Sequence, residues 1–548
     1  MVFNRRMALA AGAAAAGGIG YFTLRRPQKS GRRLPERGTY HRGNGAEPAS
    51  LDPSQISGNQ EDNIVADLMT GLMVNGPDAS PRLGMALSWT TTPDGLTWTF
   101  QLREALWSDG KPVTADDFVF GWRRQLDPAT NCLYAYFLYG IKNAHPINAG
   151  KMPPSALGVR ALDPHRLEVT LEHPAPYLLQ VLTHMTMYPQ PRHAIEARGK
   201  AWTKAGSYVS NGAYVLTEWV PNEYITLQKN PRFYDAANVA IERIIYYPTD
   251  DYGAALQRLR AGELDTQDRY PAERIDWIRA NMPETINPVP QLVTEMVTIN
   301  HTRKPFDDIR VRNALSLAIN REMITDKIRR VGERPAYNII PPGTANFPGG
   351  NLLPFHAMSY PERTAQAQTL MRAAGFGPDR RVKTTFLIRS TTAGSYRAAA
   401  AAMQQMLAQI YVDIAIIPMD FPIFYPTIQS HDFDMAEAGW SADFNDAETF
   451  LNLFRTGGGD NWGAYTNPAF DTLLAASQQD RDVNSRGSKL AAAEALLLKD
   501  QAIIPLFFWV HPAMAQPYMK GWVANNLDQH RTRWMSIDEE ARAAMLSK

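Results

Sequence analysis

The sequence predicts an α/β protein with several domains, in which short strands and helices alternate along most of the chain. Three observations predict this class. The chain has 548 residues, more than one hydrophobic core usually holds, so two to four domains are expected. Apolar and polar residues alternate along several short segments, as in half-buried strands. A strand–helix–strand order in the second half indicates parallel strands.

The first 30 residues have the architecture of an export signal. Arg5 and Arg6 precede an apolar, Ala- and Gly-rich stretch over residues 7–24, which is typical of exported proteins, and the adjacent arginines resemble a twin-arginine signal. The stretch approaches the roughly 20 residues that span a membrane. We therefore interpret residues 1–30 as an export signal or N-terminal anchor, with a buried helix as the alternative, and residues 31–44 as a basic tether. The expected location is the periplasm.

The next elements are short. Alternating apolar residues predict strands over residues 96–102 and 166–172. Between them, Thr114 is placed to cap a helix whose first turn is acidic, where negative charge is favoured. Residues 214–218 and 224–228 flank a Pro-Asn pair and predict a β-hairpin.

The second half predicts a lobe built from alternating strands and helices. Gly375 is placed to end one of the helices. The predicted strands are residues 296–300, 385–388, 414–417 and 503–510, and the predicted helices are residues 308–319, 361–374 and 398–410.

Composition and motifs argue against several function classes. Lys and Arg number 56 against 55 Asp and Glu, giving a net charge of +1, whereas nucleic-acid binders usually carry a basic excess. The one cysteine, Cys132, can build neither an intrachain disulfide nor a cysteine zinc site. The sequence contains no nucleophile elbow, zinc-helix or phosphate-loop motif. We therefore expect no enzyme, metal, cofactor or nucleic-acid partner, with an exported hydrolase as the alternative.

Five segments together resemble the bacterial extracellular solute-binding proteins of family 5, which include oligopeptide, dipeptide, murein-peptide and nickel binders of ABC importers. The most recurrent of them is Leu-Trp-Ser-Asp-Gly-Lys-Pro-Val-Thr-Ala-Asp-Asp-Phe-Val. The segments run in the family's order within residues 45–540, and they are residues 47–53, 106–119, 210–214, 305–312 and 438–445.

The resemblance implies a two-lobed type II periplasmic-binding-protein fold with a hinge and an additional domain on the first lobe. Chain crossings near residues 293 and 511 would form the hinge. The implied parts are lobe I at residues 45–70, 190–293 and 512–545, the additional domain at 71–189, and lobe II at 294–511.

The resemblance also implies which residues hold a ligand between the lobes. Two segments would pair with a peptide backbone: the one that matches Gly439, Trp440, Ser441 and Ala442, and the one around Asn59. Asp443 would meet the ligand's α-ammonium group. The aromatic positions that match or adjoin the pocket lining are Tyr134, Phe421, Trp440, Phe508 and Trp509, although a core role competes for each.

Three positions depart from the oligopeptide binders of the family. Glu437, Tyr396 and Ile428 stand where those proteins carry basic or histidine residues. Glu437 is therefore expected either to face a ligand cation or to be solvated. The expected ligand is a short peptide, and the expected partners are the membrane permease subunits of an ABC importer, with the protein itself a monomer. A longer, amidated or cationic peptide, a metal chelate, an oligosaccharide and a sensing role stay open.

Overall fold

The computed structural model describes residues 35–547, except residues 57, 287 and 391–393. The segment interpreted as an export signal or anchor, residues 1–30, lies outside the described residues, as do residues 31–34 of the predicted tether. None of the helices in the described part combines the length and apolar composition that a membrane span requires.

The first lobe is built on a six-stranded mixed sheet. Its central strand, Thr39–Gly43, pairs in parallel with Arg243–Tyr247. In spatial order the strands are Met514–Ala515, Thr266–Gln267, Thr39–Gly43, Arg243–Tyr247, Tyr224–Lys229 and Tyr214–Val220. The helices of this lobe are Asn59–Leu68, Arg192–Arg198, Tyr252–Arg260, Ile275–Asn281 and Glu539–Leu546. The predicted hairpin is confirmed, because Tyr214–Val220 and Tyr224–Lys229 pair antiparallel.

The tether prediction is wrong for residues 39–43. They form a strand at the centre of the sheet, where Tyr40 is fully buried and its hydroxyl bonds to that of Thr266 at 2.6 Å. Arg42 is also buried and donates to the carbonyl oxygen of His530 at 3.0 Å. This short strand is held by partners about 200 or more residues away. Because those partners are not visible in the local composition, the segment was interpreted as a linker.

The additional domain packs on the first lobe around a four-stranded antiparallel sheet. In spatial order its strands are Ala86–Thr91, Thr97–Leu102, Arg166–Thr170 and Val159–Asp163. A second pair consists of Met73–Asn75 and Pro81–Leu83, and the helices are Ala115–Leu126, Ala144–Asn148 and Leu178–Val181. Thr114 caps the first of these helices in a reciprocal capping box with Asp117. The strands and the cap predicted here are confirmed.

The second lobe contains another six-stranded mixed sheet. In spatial order its strands are Arg334–Pro335, Ile503–Val510, Pro290–Ile299, Met435–Ser441, Val382–Arg389 and Val412–Met419. The helical segments are Ile309–Ala318, Met323–Arg329, Tyr360–Ala373, Gly394–Ala408, Phe421–Gln429, Glu448–Leu451, Pro468–Gln478 and Val483–Lys499. The parallel pair Val382–Arg389 and Val412–Met419, joined through Gly394–Ala408, confirms the predicted strand–helix–strand unit.

The chain passes between the two large sheets at two adjacent places. It enters the second lobe before Pro290 and leaves it after Val510, and Ile286 forms an isolated bridge with Met514. The two crossings therefore lie side by side, as a hinge between two lobes requires. The residue boundaries given above for the domains stay predictions.

Candidate functional site

A cleft of about 640 Å³ lies where the two lobes and the additional domain meet. The first lobe contributes Gly58 and Asn59 at the start of helix Asn59–Leu68, and the additional domain contributes Tyr134 and Tyr136. The second lobe contributes the run from Gly439 to Asn445. A cleft of this size, lined by all three parts, is the usual place for a small ligand.

Strand Met435–Ser441 brings a backbone edge to this cleft. On one side it pairs with Pro290–Ile299 along its whole length, from Ile299 opposite Met435 to Val293 opposite Ser441. On its other side, the only strand pairing among the described residues joins Met435 and Ala436 to Val382–Arg389. Beyond Ala436, the strand therefore presents an edge whose amides and carbonyls can pair with an extended ligand.

Asp443 follows that strand and has neutral hydrogen-bond donors. The Tyr136 hydroxyl donates to Oδ1 at 3.0 Å, and the Thr449 hydroxyl donates to Oδ2 at 3.2 Å. Burial raises the pKa of the Asp443 carboxyl to about 6, although the two hydroxyl donors oppose this and Asp460 adds to it. A half-buried carboxylate that receives no hydrogen bond from a cation in the described part of the chain is suited to receive one from a ligand.

Trp440 and Thr449 fix the conformation at the end of the strand. The Thr449 hydroxyl oxygen accepts from the Trp440 indole Nε1–H at 3.1 Å and from the Asp443 backbone N–H at 3.2 Å. Trp440 also packs against the apolar core on one face of the sheet. These bonds hold the Asp443 carboxylate in place.

The structure brings most of the predicted site residues to the cleft. Its lining includes Asn59, Tyr134, Gly439, Trp440, Ser441, Ala442, Asp443 and Trp509. Trp509 is fixed by its Nε1–H, which donates to Glu295 at 2.8 Å. Phe421 begins helix Phe421–Gln429, but its side chain is outside the described part. Tyr425, one turn later in the same helix, does line the cleft.

Phe508 is not among the residues that line the cleft. Its side chain is 3% exposed, and its backbone lies opposite Thr294 and Arg334 in the middle of the sheet. Successive residues of a strand face opposite sides of the sheet, so Phe508 and the cleft residue Trp509 are directed away from each other. The core role is the one that fits Phe508.

The expectation that Glu437 is solvated is wrong, and its role toward a ligand cation stays a prediction. Glu437 is fully buried and is not in the cleft lining; it accepts from Arg389 Nε at 2.9 Å, from Arg389 Nη2 and from the Arg389 backbone N–H at 2.9 Å. Arg389 ends the neighbouring parallel strand and supplies the counter-charge. Burial, and then the Glu437 carboxylate, raise the pKa of the adjacent Glu295. The departures Tyr396 and Ile428 are buried as well.

Several residues that line the cleft were not identified from the sequence. Tyr136 and Phe444 line the cleft, and so do Asp62 and Arg531, which form a buried ion pair at 2.9 Å. Tyr136 and Phe444 adjoin residues that were identified, so the neighbouring Tyr134 and Asp443 were the available signal. The Asp62–Arg531 pair joins residues far apart in the chain and left no local pattern. Within the described residues, no group of three or more His, Cys, Asp or Glu could hold a metal ion.

Comparison with known proteins agrees with this architecture. The sequence profile of the bacterial extracellular solute-binding proteins, family 5, matches residues 80–462. The chain is 37% identical to the periplasmic oligopeptide-binding protein OppA of Escherichia coli strain K12 over 541 residues, covering 97% of this chain and 99% of that one.

Two solved structures are similar over almost the whole chain. The unliganded open form of the periplasmic murein tripeptide binding protein MppA matches with a TM-score of 0.82 and 34% identity, over 93% of this chain and 99% of that one. OppA of Haemophilus influenzae in complex with the peptide RPPGFSPFR matches with a TM-score of 0.75 and 32% identity, over 92% and 100% of the two chains.

Proposed function

The chain belongs to the bacterial extracellular solute-binding proteins of family 5, and from this premise we propose that it captures short peptides in the periplasm and delivers them to an ABC importer. The observation that carries the proposal is the edge of strand Met435–Ser441 beyond Ala436, which has no strand partner among the described residues and leads into the half-buried carboxylate of Asp443 inside the cleft. The protein acts by binding and releasing its ligand unchanged.

The strand edge supplies the part of the site that is independent of peptide sequence. An extended peptide that leaves water must have its amide and carbonyl groups satisfied. Gly439 and Ser441 offer backbone groups on the cleft side of the strand, in the manner of β-strand addition. Asn59, at the first turn of its helix, faces the same cleft from the first lobe. Backbone pairing of this kind accepts many side chains.

Asp443 fixes the direction of the peptide and selects a free amino end. Its carboxylate has hydroxyl donors but an unbalanced charge, and a ligand ammonium would balance it. Burial of an ion pair is favourable only when both charges are present and hydrogen-bonded. A peptide with a free amino end supplies the missing cation, and N-acetylation removes it.

Contacts across the cleft support closure around the ligand. The Tyr136 hydroxyl of the additional domain reaches Asp443 of the second lobe, and Tyr177 stacks on Phe444 with ring centroids 4.6 Å apart. The two chain crossings lie side by side, joined by the bridge between Ile286 and Met514, and would act as the hinge. Closure would exclude water from the ammonium site and strengthen its pairing.

Capture from a peptide mixture tests this function. The purified protein is incubated with a defined mixture of peptides two to five residues long, and bound and free species are identified by mass spectrometry. We expect intact peptides in the bound fraction and a saturable increase in melting temperature. Cleaved products would instead identify a hydrolase, and failure to retain any peptide would contradict peptide binding.

A further inference from the structure

A second cavity, of about 240 Å³, lies behind the Asp443 end of the cleft, between the additional domain and the second lobe. Its lining and that of the main cleft share Tyr136, Phe137, Asp443 and Phe444. The carboxylate that we assign to the ligand's amino end therefore stands in the wall between the two spaces.

The walls of this second cavity are mostly apolar on the side of the additional domain, where His173 and the hydroxyls of Tyr139 and Tyr177 are the polar groups besides Tyr136. Ile141, Leu171, Leu178, Val181 and Met187 line it, and each is buried in the domain. Apolar cavities of about 150 Å³ are large enough to take a benzene ring. The volume here is sufficient for the side chain of Leu, Met or Phe.

Apart from Asp443, which we assign to the ligand's amino end, the polar groups on the opposite wall already have partners. Glu448 pairs with Arg486 at 2.6 Å and accepts from Gln478 at 2.8 Å, and its side chain is buried. Asn452 also donates to Glu448 at 3.3 Å. Because these groups satisfy one another, a polar or charged guest would be desolvated there without an equivalent gain.

We propose that this second cavity receives the side chain of the ligand's first residue and makes the protein selective for peptides that begin with a bulky apolar residue. The inference rests on the proposed function, since it takes the peptide's amino group to lie at Asp443. The first side chain leaves the carbon atom next to that amino group, and so begins at the wall formed by Tyr136, Phe137 and Phe444. Rotation of the partly exposed Tyr136 side chain would open the way.

Isothermal titration of a tripeptide series tests the selectivity directly. The series is Xaa-Ala-Ala with Leu, Phe, Gly, Asp or Lys at the first position. Burial of one large apolar side chain predicts that the Leu and Phe peptides bind about tenfold or more tightly than the Gly peptide. The Asp and Lys peptides should show no such gain. Equal affinities for the Leu and Gly peptides would overturn the inference.

Filling and enlarging the cavity give two opposite variants. Gly140 lines the cavity, and a Cβ atom added there would meet no heavy atom within 4 Å. Gly140→Leu should therefore reduce the affinity for the Leu peptide to that for the Gly peptide. Gly377→Leu is the matched control, because Gly377 also has open space but lies outside both cavities. Leu178→Ala should enlarge the cavity and shift the preference toward a first-position Trp.

Titration with N-acetylated peptides separates this inference from the proposed function. If acetylation of the Gly peptide weakens binding but the first residue has no effect, the amino-end site stands and the second cavity has no role in selection. If acetylated and free peptides bind equally, the amino-end assignment fails and this inference fails with it. A Leu preference that survives in Gly140→Leu would place the first side chain elsewhere and overturn the proposal.

Discussion

Replacing Asp443 by Asn should weaken peptide binding by roughly 10²–10³-fold. The substitution preserves the shape of the side chain, but it replaces one of the two oxygens that accept from Tyr136 and Thr449 by an NH2 group and removes the charge that would balance a ligand ammonium. Removing one partner of a buried ion pair costs about 3–5 kcal/mol. Because Asp443 is only half-buried, the lower end of that range applies, and each 1.4 kcal/mol is tenfold in affinity.

The assay is a double-mutant cycle by isothermal titration. Wild type and Asp443→Asn are each titrated with one peptide in its free and N-acetylated forms. If the carboxylate and the ammonium form one interaction, acetylation should weaken wild-type binding strongly and the variant's binding little. Asp460→Asn is the matched control: Asp460 raises the pKa of Asp443 through its charge and is not in the cleft lining. Additive effects in the cycle would refute the reasoning.

Four further predictions concern stability, closure and export. Because the folded-state pKa of Asp443 is raised to about 6, ionisation of Asp443 destabilises the protein without peptide above that pH. Asp443→Asn should therefore raise the melting temperature at pH 7.5. This gain should disappear as the pH falls through 6 toward 4. Arg389→Ala should lower the free energy of unfolding by about 3–5 kcal/mol, because it leaves Glu437 buried without its cation. The control Arg381→Ala removes a more exposed pair with Asp413 and should lower the free energy of unfolding by about 1 kcal/mol or less. Equal losses of the two variants in denaturant titrations would contradict this prediction. Small-angle scattering should give a smaller radius of gyration with bound peptide than without, whereas an unchanged radius at confirmed saturation would contradict closure. Replacing both Arg5 and Arg6 by Lys should leave the protein in the cytoplasm, as measured by cell fractionation. Normal export of that variant would exclude the twin-arginine route.

Elements with strong local patterns were predictable from the sequence. The alternation of the strand predicted at residues 96–102, the helix cap at Thr114 and the apolar run 503–510 all depend on neighbouring residues, and the structure has these elements where they were expected. Strand Thr39–Gly43 carried no such pattern. Its stability comes from pairing with Arg243–Tyr247, and short-range periodicity contains no information about that distant partner.

The residues of the candidate site likewise divide into those that local sequence predicts and those that depend on distant partners. The run from Gly439 to Asp443 is continuous in sequence, so its resemblance to a family placed five cleft residues at once. Glu437 was misinterpreted because its environment depends on Arg389, 48 residues away on the next strand. Phe508 and Trp509 are adjacent in sequence but face opposite sides of the sheet, and only the pairing of their strand determines which one reaches the cleft.

A crystal structure of the protein with a captured peptide tests the central claim most directly. We expect an extended peptide in the cleft between the lobes, with its amino nitrogen within hydrogen-bond distance of the Asp443 carboxylate and its backbone paired with Gly439 and Ser441. A peptide bound in the reverse direction, with its carboxyl end at Asp443, would contradict the proposed role of Asp443. So would a ligand without an amino group at that carboxylate.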